Sequence, residues 1–306
     1  MSLIIAYVGK KGCVMASDKR KIGYFGDKEN LEKLEDELYN GTITNDSDFL
    51  IRANELDISI KITDDANKLK NIANTVRGEV STKGTFETKR RRIYGTTNGY
   101  QIIELLGSNT ESRKAGDSGI IIFGNQFAKQ QAETLIKRKW KPSLSLRYMG
   151  DIFHGIIEEV SSKTPTVGSN IDVLIQQPDF DKTEAQKHLN STIDNDIKVL
   201  VKFRQDLTEK LVQQNIDIEM SNKIINKGDV GVVSKIDGNM IEVTLNNKVQ
   251  AVNGDWKQLA GPSGKVLMFS ESENVKIGDK VVIEDEDLCL KKDKSSLKCD
   301  IILCSL

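Results

Sequence analysis

Two short apolar runs open the chain, residues 3–8 and 13–18, divided by Gly9-Lys-Lys-Gly12. Aliphatic and β-branched residues on either side of a Gly/Lys turn predict a hairpin. From about 27 to 77 the texture is Glu, Lys, Asp and Asn, with Leu31, Leu34 and Leu38 at helical spacing. That pattern reads as charged helices inserted upon a core. Strand-like runs return at 78–83, 90–96 and 100–106, and Gly119-Ile-Ile-Ile-Phe-Gly124 is an apolar strand ending in glycine. A helix should follow over 125–139, broken by Pro142. A second, over 145–161, turns Met149, Ile152, Phe153, Ile156, Ile157 and Val160 inward. A strand at 171–175 and a mostly helical stretch over 183–218 complete this part. After Asn226 come short runs at 229–236, 240–245, 248–252, 265–269, 280–283 and 288–291, punctuated by Asp-Gly, Gly-Pro-Ser-Gly and Gly-Asp. Strands at that spacing predict a small β-barrel over 226–306, set apart from a larger domain over 1–225. Residues 299–304 either close the barrel or return to the larger domain's sheet.

Composition narrows the function classes. With 44 basic and 45 acidic residues in 306, the net charge of −1 argues against bulk attraction to nucleic acid or to an anionic membrane. No apolar run reaches bilayer length, and residues 3–8 are too short for a signal peptide, so the expected location is the cytoplasm. Cys13, Cys289, Cys299 and Cys304 show no CxxC spacing and read as structural thiols; no metal or cofactor is expected. His154 falls on a mostly apolar helix face and reads as a packed histidine. Lys89-Arg-Arg-Arg92 reads as the basic outer face of a strand, or as a dock for the acidic part of a peptide, rather than a nucleic-acid patch.

The candidate chemistry lies at Ser2. Methionine aminopeptidases accept a small second residue, so removal of Met1 would leave Ser2 at the terminus. Its hydroxyl would then stand beside a free α-amine of ordinary pKa about 8. Burial or a nearby cation lowers that value and makes the amine a usable base at neutral pH.

The stretch from Ser2 to Arg20 resembles the mature N-terminus of proteasome β subunits. A nucleophile is followed by an apolar strand, a Lys/Gly turn, the run Cys13-Val-Met-Ala16, then Ser17-Asp18-Lys19-Arg20. The resemblance implies Ser2 as nucleophile, Asp18 as the supporting carboxylate and Arg20 as the second basic residue after it. It resumes at Ile120–Gly124, the two helices that follow, Thr164-Pro-Thr-Val167 and 171–175, and implies that the Gly124 amide serves an oxyanion hole. The lysine that such subunits carry on their third strand is displaced here by the insertion. Lys83, Lys89 and Arg92 compete for its place, with Lys83, or else Lys89, preferred.

Over its whole length the chain is similar to the connectases of methanogenic archaea, which combine this start with an acidic helical insertion, a Lys/Arg-rich strand and an appended barrel. That resemblance implies an α+β fold: a proteasome-like, N-terminal-nucleophile αββα sandwich with a C-terminal small β-barrel. It also implies a sequence-specific protein ligase, or transpeptidase. Its substrate would carry a Lys-Asp-Pro-Gly-Ala-like motif, and its protein partner would be the methyltransferase A subunit. A protease or amidase on the same fold, or a non-catalytic binding scaffold, stays open.

Overall fold

Alternation along the first hairpin determines the architecture. In the computed structural model, which describes residues 2–84, 87–141 and 143–306, β1 (Ile4–Gly9) and β2 (Gly12–Asp18) pair antiparallel with Ile4 opposite Ser17. Leu3, Ile5, Val14 and Ala16 enter one apolar cluster; Ile4, Ala6, Val8, Cys13 and Met15 enter another on the opposite face. Both faces are covered, so the hairpin reads as nearly continuous apolar sequence rather than a one-sided strand. Gly12 makes the turn at φ 128°, where a Cβ would stand 2.4 Å from the Gln176 carbonyl.

Next comes the insertion. β3 (Lys21–Phe25), α1 (Lys28–Tyr39), α2 (Asp46–Glu55) and β4 (Ser59–Thr63) enclose a core of their own around Leu34, Leu38, Phe49 and Ile58. Asp27 and Asn45 cap the two helices by accepting from the Glu29 and Asp48 amides. Helix therefore stops at Glu55 rather than running toward residue 77, because Ser59–Thr63 alternates as a short strand and Leu69–Ile72 is a second one.

A five-stranded antiparallel sheet follows from β5 (Leu69–Ile72), β6 (Thr75–Lys83), β7 (Thr88–Thr96), β8 (Gly99–Leu106) and β9 (Asn109–Gly116), in that order. β9 was not anticipated; it is an almost wholly polar edge strand with no apolar alternation to announce it. β10 (Gly119–Phe123) returns to pair with β1. After α3 (Gln126–Lys139) and α4 (Leu146–Ser161), β11 (Ile171–Gln176) pairs with β2, giving a second sheet ordered β10-β1-β2-β11. α3 and α4 cover one face of this sheet through Ala132, Leu135, Met149, Phe153, Ile156 and Ile157. Fully burying each of the larger aliphatic or aromatic side chains is worth about 1.5–3 kcal/mol. The other face meets the five-stranded sheet through Val76, Ile93 and Leu69. The far face of the five-stranded sheet packs Tyr94, Ile103 and Leu105 against Leu189 and Ile193 of α5 (Lys182–Asn222).

Two compact units divide inside α5, Met1–Phe203 and Arg204–Leu306, whereas the change of sequence texture suggested residue 225. A helix crossing the division hides it from composition. The second unit contains β12 (Gly228–Asp237), β13 (Met240–Leu245), β14 (Val249–Val252), β15 (Gln258–Ala260), β16 (Lys265–Ser270), β17 (Lys280–Glu284), β18 (Asp287–Leu290), β19 (Leu297–Lys298) and β20 (Ile302–Ser305). Six of them form a sheet ordered β18-β17-β12-β13-β16-β19, and a Cys289–Ser296 bridge brings its ends together, so it is nearly a closed barrel. β20 pairs with β14, so the C-terminal run stays with the barrel.

Candidate active site

Asp18 ends β2 with no exposed surface, and everything at the site is arranged around its carboxylate. Oδ1 accepts the Leu3 amide at 2.7 Å, and Oδ2 accepts the amides of Arg20 at 3.0 Å and Gly168 at 3.2 Å. The Lys68 ammonium lies 2.8 Å from Oδ2 and is itself only 7% exposed. That contact is a short, buried ion pair. Burial pulls the Lys68 pKa below the usual lysine range; Asp18 and Asp64 act against that and Arg20 adds to it.

Ser2 is half-buried, immediately ahead of the Leu3 amide that Asp18 holds. Across the sheet Ile4 pairs with Phe123, so Gly124 lies beside the chain start; a Cβ on Gly124 would be 3.4 Å from the Ser2 carbonyl oxygen. Gly124 is exposed and precedes α3, whose N-cap Asn125 accepts the Ala128 amide at 2.8 Å and donates to Thr166 Oγ1 at 2.9 Å. The first turn of that helix therefore presents its positive end beside Ser2. Thr164 and Thr166 are buried and bonded to one another at 2.9 Å, which fixes the loop that delivers Gly168. A Cβ at Gly168 would come within 2.7 Å of Asp64 Oδ1 and 2.8 Å of Arg20 Cβ, so only glycine fits.

Arg20 gives its amide to Asp18 but turns its side chain to the insertion. The guanidinium grips Asp64 through Nε at 2.9 Å and Nη2 at 3.1 Å, and Nη1 donates to Asp46 at 2.6 Å and to the Pro165 carbonyl at 2.9 Å. The Asp64 bond raises the Arg20 pKa further, and the same bond holds the Asp64 carboxyl below its usual range. Arg20 thus fastens both the insertion and the Thr164–Gly168 loop beside Asp18.

Ser2, Asp18, Arg20 and Gly124 come together in one place. Of the two lysines expected there, only Lys89 has a described side chain, and it is not at the site. Lys83 ends β6 and its side chain lies outside the described residues; Lys89 is exposed on β7, opposite Thr82 and Leu106. Lys68, which the sequence reading missed, is the lysine at Asp18. Sequence hides it because the charged texture of the insertion runs past it and Asn67-Lys-Leu-Lys-Asn71 carries no apolar run. The signal available was the short alternating stretch Thr75–Val80, which follows Leu69–Ile72 across Ala73-Asn74.

The Lys89–Arg92 run is not a free basic face. Arg92 is 4% exposed and pairs with Glu79 and with Asp196 of α5, which also accepts from Arg77 at 2.9 Å and from the Tyr94 hydroxyl at 2.7 Å. Arg91 pairs with Glu104 and lies 4.5 Å over the Phe123 ring. Among the described residues no group of three His, Cys, Asp or Glu side chains is placed to hold a metal ion, and no helix is long and apolar enough to cross a membrane.

Comparison with known proteins gives two family models. "Connectase MJ0548-like, N-terminal domain" matches residues 1–198, and "Connectase MJ0548-like, C-terminal domain" matches 202–304. No curated protein matches the chain. Among solved structures, Anbu (ancestral beta-subunit) from Yersinia bercovieri is similar at 12% identity, covering 69% of this chain and 96% of its own, with a TM-score of 0.29. With both family models matched in sequence order, this chain belongs to the connectase family.

Proposed function

We propose that the chain is a sequence-specific protein ligase built on an N-terminal-nucleophile αββα sandwich, with Ser2 as nucleophile once Met1 is removed. The observation that carries the reading is the buried Asp18 carboxylate, which holds the Leu3 amide at 2.7 Å while pairing with Lys68 at 2.8 Å. A carboxylate so placed fixes the backbone next to Ser2 and keeps a depressed lysine within the same pocket.

In this reading Ser2 Oγ attacks the carbonyl carbon after the Asp of a Lys-Asp-Pro-Gly-Ala-like motif, and its proton passes to the α-amine or to neutral Lys68. The Gly124 amide stabilises the tetrahedral oxyanion. The carbon–nitrogen bond to Pro breaks, the leaving nitrogen takes the proton, and the upstream chain remains as an ester on Oγ. Attack by the α-amine then shifts it to an amide, which resists water. A Pro-starting acceptor reverses these steps and receives the upstream chain. Excluding water separates this outcome from hydrolysis. The natural substrate of this reading is a protein carrying that motif, with the methyltransferase A subunit as the suspected one.

Intact-mass spectrometry of the parent, Ser2→Ala and Ser2→Thr forms after mixing with such a peptide tests it. The parent should lack Met1 and gain the mass of the upstream fragment. Ser2→Ala should show no adduct, and Ser2→Thr should keep most of it, since the hydroxyl stays on the same carbon. Equal adducts on the parent and alanine forms would place the chemistry elsewhere. Free upstream acid in place of the adduct would make the enzyme a protease.

A further inference from the structure

β10 has a second edge. Its one edge pairs with β1, and among the described residues no strand pairs with the other. An open apolar edge of Ile120-Ile-Ile-Phe123 invites unwanted pairing, and proteins normally blunt such edges. Here it forms the floor of a groove of about 400 Å³. One wall is α3, with Lys129, Glu133, Ile136 and Lys137; the other is Arg91 of β7, lying over Phe123. The groove carries three cations against the one carboxylate of Glu133. It ends where β10 gives way to Gly124, beside Ser2.

We infer that this groove receives the part of the peptide substrate downstream of the scissile bond, as a strand added to β10, and selects acidic side chains in it. The inference rests on the ligase reading above. Strand addition supplies main-chain hydrogen bonds for affinity and leaves alternate side chains to provide specificity. Direction follows from the sheet. Every pairing in it is antiparallel, the more stable arrangement per residue. β10 runs toward Gly124, so an antiparallel strand starts at Gly124 and leads away, and the chain it holds lies C-terminal to the bond under attack. Ile120 and Ile122 point to the α3 side of the sheet, Ile121 and Phe123 to the β7 side. Successive side chains of the added strand therefore alternate between the Lys129/Lys137 wall and the Arg91 wall, and both are basic. Lys129 is drawn toward Glu133 at 3.8 Å and Arg91 toward Glu104 at 3.3 Å, loose pairings that a better-placed carboxylate can replace.

Fluorescence anisotropy on the Ser2→Ala form reads binding without chemistry. The probes are labelled peptides in which Lys-Asp-Pro-Gly-Ala is followed by Glu-Glu-Thr-Thr-Thr, by five Thr, or by Lys-Lys-Thr-Thr-Thr, so that adjacent charges face both walls. At low salt the acidic extension should bind about tenfold or more tightly than the basic one, a gap that added salt narrows. The charge reversal K129E/K137E, made on the same background, should invert the order. Equal affinities for all three peptides, or an order unchanged by the reversal, would overturn the inference. Mass-spectrometric capture of the unextended peptide by the parent is read separately. Capture without any order sinks the groove alone, and order without capture leaves a peptide groove and sinks the ligase.

Discussion

Replacing Lys68 by Met removes one member of a buried ion pair and leaves the other in place. Stranding a buried charge costs about 3–5 kcal/mol when nothing else compensates it. Asp18 keeps three amide donors at 2.7, 3.0 and 3.2 Å, and the ammonium no longer has to be desolvated. These offsets bring the expected loss to about 2–3 kcal/mol. In a unit of this size that lowers the unfolding midpoint by about 5–10 °C. The double variant Lys68→Met/Asp18→Asn no longer strands a charge and should recover about 2 kcal/mol of coupling energy in a double-mutant cycle. The titration supplies an independent readout. The folded chain holds Lys68 below its unfolded pKa, so between those two values the unfolded state binds the extra proton. Stability should rise with pH between the folded and unfolded values, and the slope should disappear in Lys68→Met. Where neutral Lys68 takes the Ser2 proton in the proposed mechanism, single-turnover peptide capture should rise in the same direction. The assay is thermal unfolding at several pH values, alongside capture rates by mass spectrometry. An unchanged midpoint, an unchanged pH slope and a parent capture rate in Lys68→Met would refute the assignment of Lys68 to the site.

Asp196→Ala should cost about 3–4 kcal/mol, read by denaturant unfolding, because Arg77, Arg92 and Tyr94 all lose the acceptor that ties α5 to the five-stranded sheet. Tyr94→Phe removes only one of those donors and should cost about 1 kcal/mol in the same experiment. Gly168→Ala should displace Arg20 and Asp64 and slow capture by on the order of tenfold or more, since misplaced orienting groups forfeit reaction geometry.

How far the sequence carries can be judged element by element. The hairpin, β10, α3, α4 and most barrel strands were legible because each is an apolar run with its own period, bounded by glycine or a capping residue. Ser2, Asp18 and Gly124 were singled out by the likeness of residues 2–20 and 120–124 to proteasome β subunits, and the fold sets them near one another. Lys68 was not, since its burial is created by partners at residues 18 and 64 rather than by apolar neighbours in the chain. Gly168 was equally silent: its glycine requirement comes from the side chains of Arg20 and Asp64, not from a turn. Arg92 was read as part of a strand's basic outer face and Asp196 was passed over, because pattern alone cannot show two polar residues closing on one another over a hundred positions.

The wide spacing of the groups around Asp18 has a consequence for the newly made protein. Gly168, whose amide completes the carboxylate's set of partners, lies 150 residues after Asp18. At about 5–20 residues per second, a ribosome needs about 8–30 s to cover that interval. During it Ser2 has beside it neither the completed carboxylate site nor the desolvated lysine. In the proposed mechanism reactivity is therefore withheld by synthesis order: a chain that has not yet reached Gly168 cannot join itself to neighbouring nascent proteins.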